Sequence, residues 1–586
     1  YFYATYAASG SAPEALPVPR PAALVIGSGP VRIGQGIEFD YCAVQAADTL
    51  RRAGWSAVMI NSNPETVSTD FDASTRLYFE PLDPESVLSV VASEASETAG
   101  TGSGPGEPGW ATLPALVQFG GQTPLNLAEP LAAGGVPLLG ASLDTIDQAE
   151  DRTRFAALLD RLGIPQPEGG MAHSVEEALT LAERIGYPVI MRPSFVIGGL
   201  AIDFCYSPED LVRQLAAATV VDPDRPVRID RYLEGVEVDV DAVSDGRDVL
   251  IPGLLEHIER AGVHSGDSVG VFPPQTVSVG DQELIVASME RVVLALGVRG
   301  LVNAQFIVRD DGVYLIEVNP RASRTVPFLS KVTGVPMVEL AVRIALGAAL
   351  PELGWTGGLL PPPPFVAVKA PAFSTAKLRG VDPSVGPGMQ STGEVIGIHA
   401  DPRVALAKAL TGAALIPPRS RGVAPGVRGV RGRRDAAGGA LALLSIADRD
   451  KPLLSRLADA LARAGYVLAA TPGTRATLNA LGHEARAVAK LGEDAVGDEV
   501  PIVDLIQSGE VRLVVNTPTP RSGAVRDAAE IRLAATGEGI LCLTAIETAI
   551  AAAEALDPAI EHLLADVRSL GEWVVPEMRT RPLEPV

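Results

Sequence analysis

The segment from Asn303 to Arg324, NAQFIVRDDGVYLIEVNPRASR, constrains this chain more than any other. VNAQFIV and VYLIEVN are apolar-rich runs separated by Arg-Asp-Asp-Gly, a spacing that predicts a β-hairpin. With the turn over Asp310 to Gly312, Gln305 falls opposite Glu317, and strand alternation puts Asn319 on the same face. One carboxylate and two amide oxygens then converge, hard ligands suited to a magnesium ion that keeps waters and shares phosphate oxygens. Arg321 and Arg324 follow at once and bring positive charge to an anion beside that ion. A lone Glu-x-Asn would be read as a satisfied polar strand face. Five such groups around one strand end are read as a site.

At 586 residues the chain exceeds one core and is expected to hold about three or four domains. Strand and helix patterns alternate through it, the mark of a soluble α/β protein. The net charge of −23 argues against a general nucleic-acid surface, so any anionic ligand must be held by local clusters. Cys42, Cys205 and Cys542 lie far apart, which gives neither a disulfide framework nor a zinc spacing and fits a reducing, cytoplasmic setting. No run of about twenty apolar residues predicts a membrane span. Lysine occurs six times, never before Lys331, so a nucleotide site upstream of it must use arginine. The chain opens at Tyr1 without methionine and is expected to be the downstream portion of something longer.

Residues 1–20 read as linker. In 21–150, AALVIGSG, SAVMINSNP and PALVQFGGQTP are strands alternating with helices, one of them around Tyr41 to Ala53, which implies a parallel sheet with ligands at the strands' carboxyl ends. A second unit, 151–348, is entered through AEDRTRFAALLDRLG, a helix ending at Gly163, and leaves the hairpin through a helix ending near Leu346. Residues 349–416, interrupted by the Pro361 to Pro364 break, are a segment associated with it. The Arg/Gly/Pro-rich stretch 417–439 is read as a flexible linker rather than an RNA-binding tail. Residues 440–586 restart a small α/β domain.

Four further motifs carry chemistry. GSGPVRIGQG (Gly27 to Gly36) follows a strand but fails the strict dinucleotide pattern; anion-binding loop and tight structural turn both remain open. In IMRPSFVIGG, Arg192 ends a buried strand, where a charge needs an anion, and Gly198-Gly199 form a tip able to close over phosphates; an arginine in a structural ion pair is the alternative. LLEHIERAGVHSGDS, Leu254 to Ser268, lacks zinc spacing and reads as a polar loop lining a nucleotide or effector site. EVDVDAV places Glu237, Asp239 and Asp241 on one strand face.

IGSGPVRIGQGIEFDYC, NSNPETVSTDFDASTRLYFEP, QFGGQTPLNLA, AEDRTRF, MRPSFVIGG, EHIERAGVHSGDS and EVNPRASRTVPF together resemble the large chain of carbamoyl phosphate synthase, in its carboxy-terminal half. EVNPR alone would indicate only the broader ATP-grasp class. The resemblance covers essentially everything after the opening linker. It implies an α/β fold with a pre-ATP-grasp parallel-sheet domain, an ATP-grasp domain and a C-terminal methylglyoxal-synthase-like domain. It also implies an ATP-dependent carbon–nitrogen ligase half that phosphorylates carbamate with ATP and Mg2+ or Mn2+, two ions, with K+ nearby. The partners implied are a glutaminase small subunit and the missing N-terminal half.

Residue by residue, the resemblance gives Gln305, Glu317 and Asn319 to the metal and Arg152 and Arg192 to the phosphates. Gly198 and Gly199 are given to the lid, Arg231 and Leu233 to adenine, and Glu237 to ribose. Gly262, Val263, His264 and Ser265 would line the nucleotide pocket, and Arg321 and Arg324 would steady the carbamate and the phosphoryl group. Ser445, Lys451, Thr471, Thr474, Lys490, Asn516 and Thr517 match an allosteric pocket for UMP or IMP. Glu259, Asp267 and Glu394, completed by Thr544, match an ornithine site. The sequence departs from the family at Leu200, where an arginine is expected, at Arg231 and Pro472, where histidines are, and by one residue fewer near Gly235. Another ATP-grasp carboxylate ligase, or a regulatory module with vestigial catalysis, are the alternatives.

Overall fold

The structure is a computed structural model that describes residues 16–32, 36–95, 112–193, 203–217, 226–374, 382–417, 440–491, 499–517 and 524–574. Four sheets organise those residues. The first is a five-stranded parallel sheet in the order Arg76–Tyr78, Ser56–Ile60, Ala22–Ile26, Ala115–Leu116, Leu138–Leu139. Strand Ala22–Ile26 is buried at every position, as an inner strand covered on both faces must be. Helix Glu38–Arg52 starts three residues before the expected Tyr41. Its Phe39, Cys42, Ala43, Ala46 and Leu50 recur at helical spacing and pack in one core with Phe328, Met337 and Ala341 from the far side of the hairpin.

Helix Leu143–Glu150 and helix Arg152–Leu162 replace the single helix expected around Arg152. Asp151 makes the break: its carboxylate caps the second helix, accepting from Thr153 N at 2.8 Å and Arg154 N at 2.9 Å. The helix ends as expected at Gly163, in the left-handed conformation. A four-stranded antiparallel sheet follows, in the order Gly169–Ala172, Val227–Arg231, Val189–Pro193, Asp203–Cys205.

The third sheet positions the site. Its main path runs Gly312–Asn319, Gly300–Arg309, Val236–Ser244, Val249–Arg260, Gly270–Phe272, Val366–Ala372, Gly393–His399. The strands from 349–416 therefore extend this same sheet. The stretch after the hairpin is two helices, Thr325–Thr333 and Met337–Ala345, broken by Gly334 at φ 75° and Pro336. The polar loop expected over Leu254 to Ser268 is corrected: Val249–Arg260 is a twelve-residue strand, almost wholly buried, and loop begins only at Ala261. The fourth sheet is parallel, ordered Val500–Pro501, Ala485–Ala489, Val467–Ala470, Leu441–Ser445, Val511–Asn516, Leu541–Leu543. No single described helix is long and apolar enough to cross a membrane. The linker residues 418–439 and the glycine tip with Leu200 lie outside the described residues.

Candidate functional site

The hairpin pairs Gln305 with Glu317 and Asn303 with Asn319. On its other edge, strand Gly300–Arg309 pairs Gln305 with Asp239 and Asn303 with Asp241. His257, from the next strand, brings Nε2 to 3.2 Å from Asp239 Oδ2 and Nδ1 to 3.7 Å from Glu237 Oε1. One sheet face thus carries four carboxyls, three amides and an imidazole, where an apolar core would cost no desolvation.

Cations face this array. Arg152 Nη2 lies 3.5 Å from Glu317 Oε2, Arg192 Nη1 lies 4.0 Å from the same oxygen, and Arg321 Nη2 lies 3.3 Å from Asn319 Oδ1. Burial alone would raise the Glu317 carboxyl; the Arg152 and Arg192 guanidiniums, the Asn319 amide and Arg321 outweigh it and bring it down to about 2. Glu317 is therefore an anion at any working pH. Arg192 Nε, Asp239 Oδ1 and His257 Nδ1 are buried and have no hydrogen-bond partner. Two orphaned atoms on this face, with Arg192 Nε of the second sheet near it, fit a site that completes itself with a ligand. Among the described residues no group of three His, Cys, Asp or Glu is arranged to hold a metal. A divalent ion here would be held by the ionised Glu317 with the amide oxygens of Gln305 and Asn319 and with oxygens of its ligand, and these donors fit it.

The other expected nucleotide residues have the following surroundings. Glu237 is buried and takes a hydrogen bond from the Gly262 backbone. Gly262, at φ 106°, lies so close to Phe204 that a Cβ would overlap its ring. Leu233 packs with Ala261 and Ile307. His264 N donates to Gly386 O at 2.7 Å, and Ser265 O accepts from the buried Lys369 Nζ at 2.8 Å. Arg231 is exposed, and its backbone N–H bonds Glu168 O.

One expectation is corrected. Arg324 does not face Glu317: Nη2 and Nε bond Glu38 at 2.9 and 3.2 Å, and Nη1 bonds Ser391 Oγ at 2.9 Å and Gly266 O at 3.3 Å. All three of its nitrogens are engaged by protein groups in the interior. Residues of the expected ornithine set are also engaged with groups of the protein. Glu259 accepts from Thr548 Oγ1 at 2.6 Å and Val269 N at 2.8 Å, and Asp267 accepts from Gln390 N and Ser391 N. Glu394 feels Lys369, Glu38 and Arg324, and Thr544 Oγ1 binds Val385 N. Sequence reasoning read His257 only as part of a polar loop, and passed over Glu38, Lys369, Gln118 and Gln122. The last two stand in the quoted QFGGQTP motif, the one signal that pointed to them.

The fourth sheet brings most of its expected residues to one edge. Ser445 pairs with Asn516 at adjacent strand ends. Thr474 Oγ1 accepts from Ile446 N at 3.0 Å and Thr517 Oγ1 from Ala447 N at 2.7 Å. Thr471 is the N-cap of helix Pro472–Ala480, and Lys451 Nζ is 3.4 Å from where a Cβ on Gly473 would stand. Lys451 pairs with Asp448 at 2.6 Å, and Lys490 also draws on that carboxylate.

The raised carboxyls have a measurable consequence. Burial, opposed by His257, pushes Glu237 up to about 7; burial, opposed by the Thr325 and Ser323 hydroxyls, pushes Asp241 up to about 6. Unfolded carboxyls titrate near pH 4, so between about pH 4 and 7 the native state holds protons that the unfolded chain has lost. Their contribution is full below about pH 4 and is lost as pH rises through 6 and 7. The urea midpoint of the ligand-free protein is expected to be lower at pH 8 than at pH 5.5. The reverse order would show that these two groups are not buried neutral.

Comparison with known proteins gives three family matches. A model described as carbamoyl phosphate synthase preATP-grasp domain matches residues 19–148, and carbamoyl-phosphate synthase L chain, ATP binding domain, matches 151–353. An MGS-like domain matches 454–544. The carbamoyl phosphate synthase large chain of Thermomicrobium roseum is 50% identical over 557 residues, which are 95% of this chain and 48% of that protein. The chain therefore spans about half the length of that relative. Among solved structures, the biotin carboxylase domain dimer of Hydrogenobacter thermophilus 2-oxoglutarate carboxylase, in complex with MgADP, ADP and bicarbonate, is 20% identical at a TM-score of 0.50. The match covers 67% of this chain and 89% of that one, and it establishes a shared fold.

Proposed function

Because this chain belongs to the carbamoyl phosphate synthase large-chain family, we propose that it binds Mg·ATP on the carboxylate-bearing face of the third sheet and phosphorylates carbamate to carbamoyl phosphate. The observation that carries this reading is Glu317, paired with Gln305 and held ionised between Arg152 and Arg192. Those guanidiniums stand where the β- and γ-phosphates would replace the carboxylate as their partner. A divalent ion, Mg2+ or Mn2+, would be held by Glu317 with Gln305 and Asn319 and would supply charge neutralisation at the phosphates; family resemblance would add a second such ion and K+. A carbamate oxygen attacks the γ-phosphorus, the bond to ADP breaks, and no covalent protein nucleophile is needed. Arg321 neutralises charge on the transferring group, and Glu237 and the Gly262 to Ser265 loop hold the nucleoside.

In the complete enzyme the other half would form carbamate from bicarbonate, ammonia and a first ATP. A glutaminase subunit would provide the ammonia, and the product would serve arginine and pyrimidine biosynthesis. The test runs the reaction backwards: carbamoyl phosphate and Mg·ADP are expected to give ATP, read by luciferase. Nucleotide binding with no ATP formed would instead make the chain a regulatory module.

The fourth sheet is assigned a nucleoside monophosphate, UMP or IMP, with its phosphate at Lys451 and the helix start at Thr471. Calorimetric UMP binding is expected to weaken at least tenfold in Lys451→Ala. Equal affinity in that variant would remove the assignment.

A further inference from the structure

Two glutamines of the QFGGQ run lie between the first sheet and the exit of the hairpin. Gln118 is fully buried. Its Nε2 donates to Pro320 O at 2.9 Å and Leu301 O at 3.2 Å, and its own carbonyl accepts from Ala322 N at 2.7 Å. The residues on both sides of Arg321 are thus pinned by one side chain and one carbonyl of another sheet. Glycines admit this amide: a Cβ at Gly140 or Gly300 would overlap Gln118 Oε1.

Four residues on, past Gly121 at φ 73°, Gln122 addresses the guanidinium itself. Its Oε1 accepts from Arg321 Nε at 3.2 Å, while Nε2 donates to Asn126 Oδ1 at 3.0 Å and lies 3.4 Å from Glu150 Oε2. Those two acceptors decide which end of the amide meets the arginine. Arg321 then has Nε on Gln122, Nη1 on Ala322 O at 3.0 Å and Nη2 on Asn319 Oδ1 at 3.3 Å.

We propose that Gln118 and Gln122 are positioning residues for Arg321, Gln118 fixing its backbone and Gln122 aiming its guanidinium at the transferring group. The proposal rests on the carbamate-phosphorylating reading above and names the device that sets its geometry. A misplacement of about 1 Å in such a group costs on the order of a hundredfold in rate. Simple glue between two sheets would instead affect only stability.

The test uses the whole chain and ATP formation from carbamoyl phosphate and Mg·ADP. Gln122→Met keeps the volume and removes the acceptor; kcat is expected to fall at least tenfold with KM for ADP within twofold. Arg321→Met alone falls further, and adding Gln122→Met to it is expected to cost less than twofold more, because the glutamine acts through the arginine. Gln118→Met should show the same split; if it fails to fold, Gln122→Met decides. Unchanged kcat in Gln122→Met, or a full additive loss in the Arg321→Met background, overturns the proposal while leaving the functional reading in place. No ATP from the unsubstituted chain overturns both.

Discussion

Glu317→Gln is expected to reduce ATP formation from carbamoyl phosphate and Mg·ADP by about a hundredfold to a thousandfold while leaving the fold intact, the scale seen when one preorganised electrostatic group is removed from a transition state. The substitution keeps the side chain's shape on the hairpin and removes only its charge. Arg152 and Arg192 lose their shared anion, and the two amides opposite and beside it, Gln305 and Asn319, can no longer hold a divalent ion. A readout independent of turnover is available: Mn2+ bound in the presence of ADP, followed by electron paramagnetic resonance, should weaken at least tenfold. Since the carboxyl titrates at about 2, it contributes no acid limb to the rate above about pH 4. Wild-type turnover in Glu317→Gln, with unchanged Mn2+ binding, would remove the metal assignment.

The part of this site that was legible in sequence is the part written into a single hairpin, and it was legible for an instructive reason. Gln305 does face Glu317, but through a two-residue turn at Asp310 and Asp311, with Arg309 paired to Gly312. That turn alone would set Ile316 opposite Gln305 and send Glu317 to the apolar face. A register shift between Gln305 and Phe306 inserts the extra residue and restores the pairing that a longer turn would have given. The sheets were legible where apolar runs stood between turn signals, as in Ala22–Ile26. Val249–Arg260 was not, because Glu256, His257 and Glu259 look solvated until distant partners appear. Asp239 and Thr276 turn them into buried strand residues, and so does Thr548, 289 positions from Glu259. Periodicity reports which residues share a face; it is silent about which face meets another sheet.

Arg324 marks the same limit, and it carries the second large effect. Arg324→Met is expected to destabilise the protein by about 3–5 kcal/mol, the cost of leaving a buried charge without its partner. Glu38 is the charge left behind: it is 4% exposed, at the start of helix Glu38–Arg52, and the arginine grips both of its oxygens. Ser391 Oγ loses its donor, while Gly266 O keeps the Ser391 hydroxyl at 2.9 Å; the loop after Val249–Arg260 and the segment before Gly393–His399, still joined to each other, together lose their tie through Arg324 to Glu38. Adding Glu38→Gln to Arg324→Met is expected to recover part of the loss, since the orphaned charge is then gone. The first urea transition of the three variants measures this directly. A catalytic arginine predicts another pattern: Arg324→Met would keep its urea midpoint and lose ATP formation. That outcome would return Arg324 to the reacting group and show the Glu38 pair to be one that opens when ligand binds.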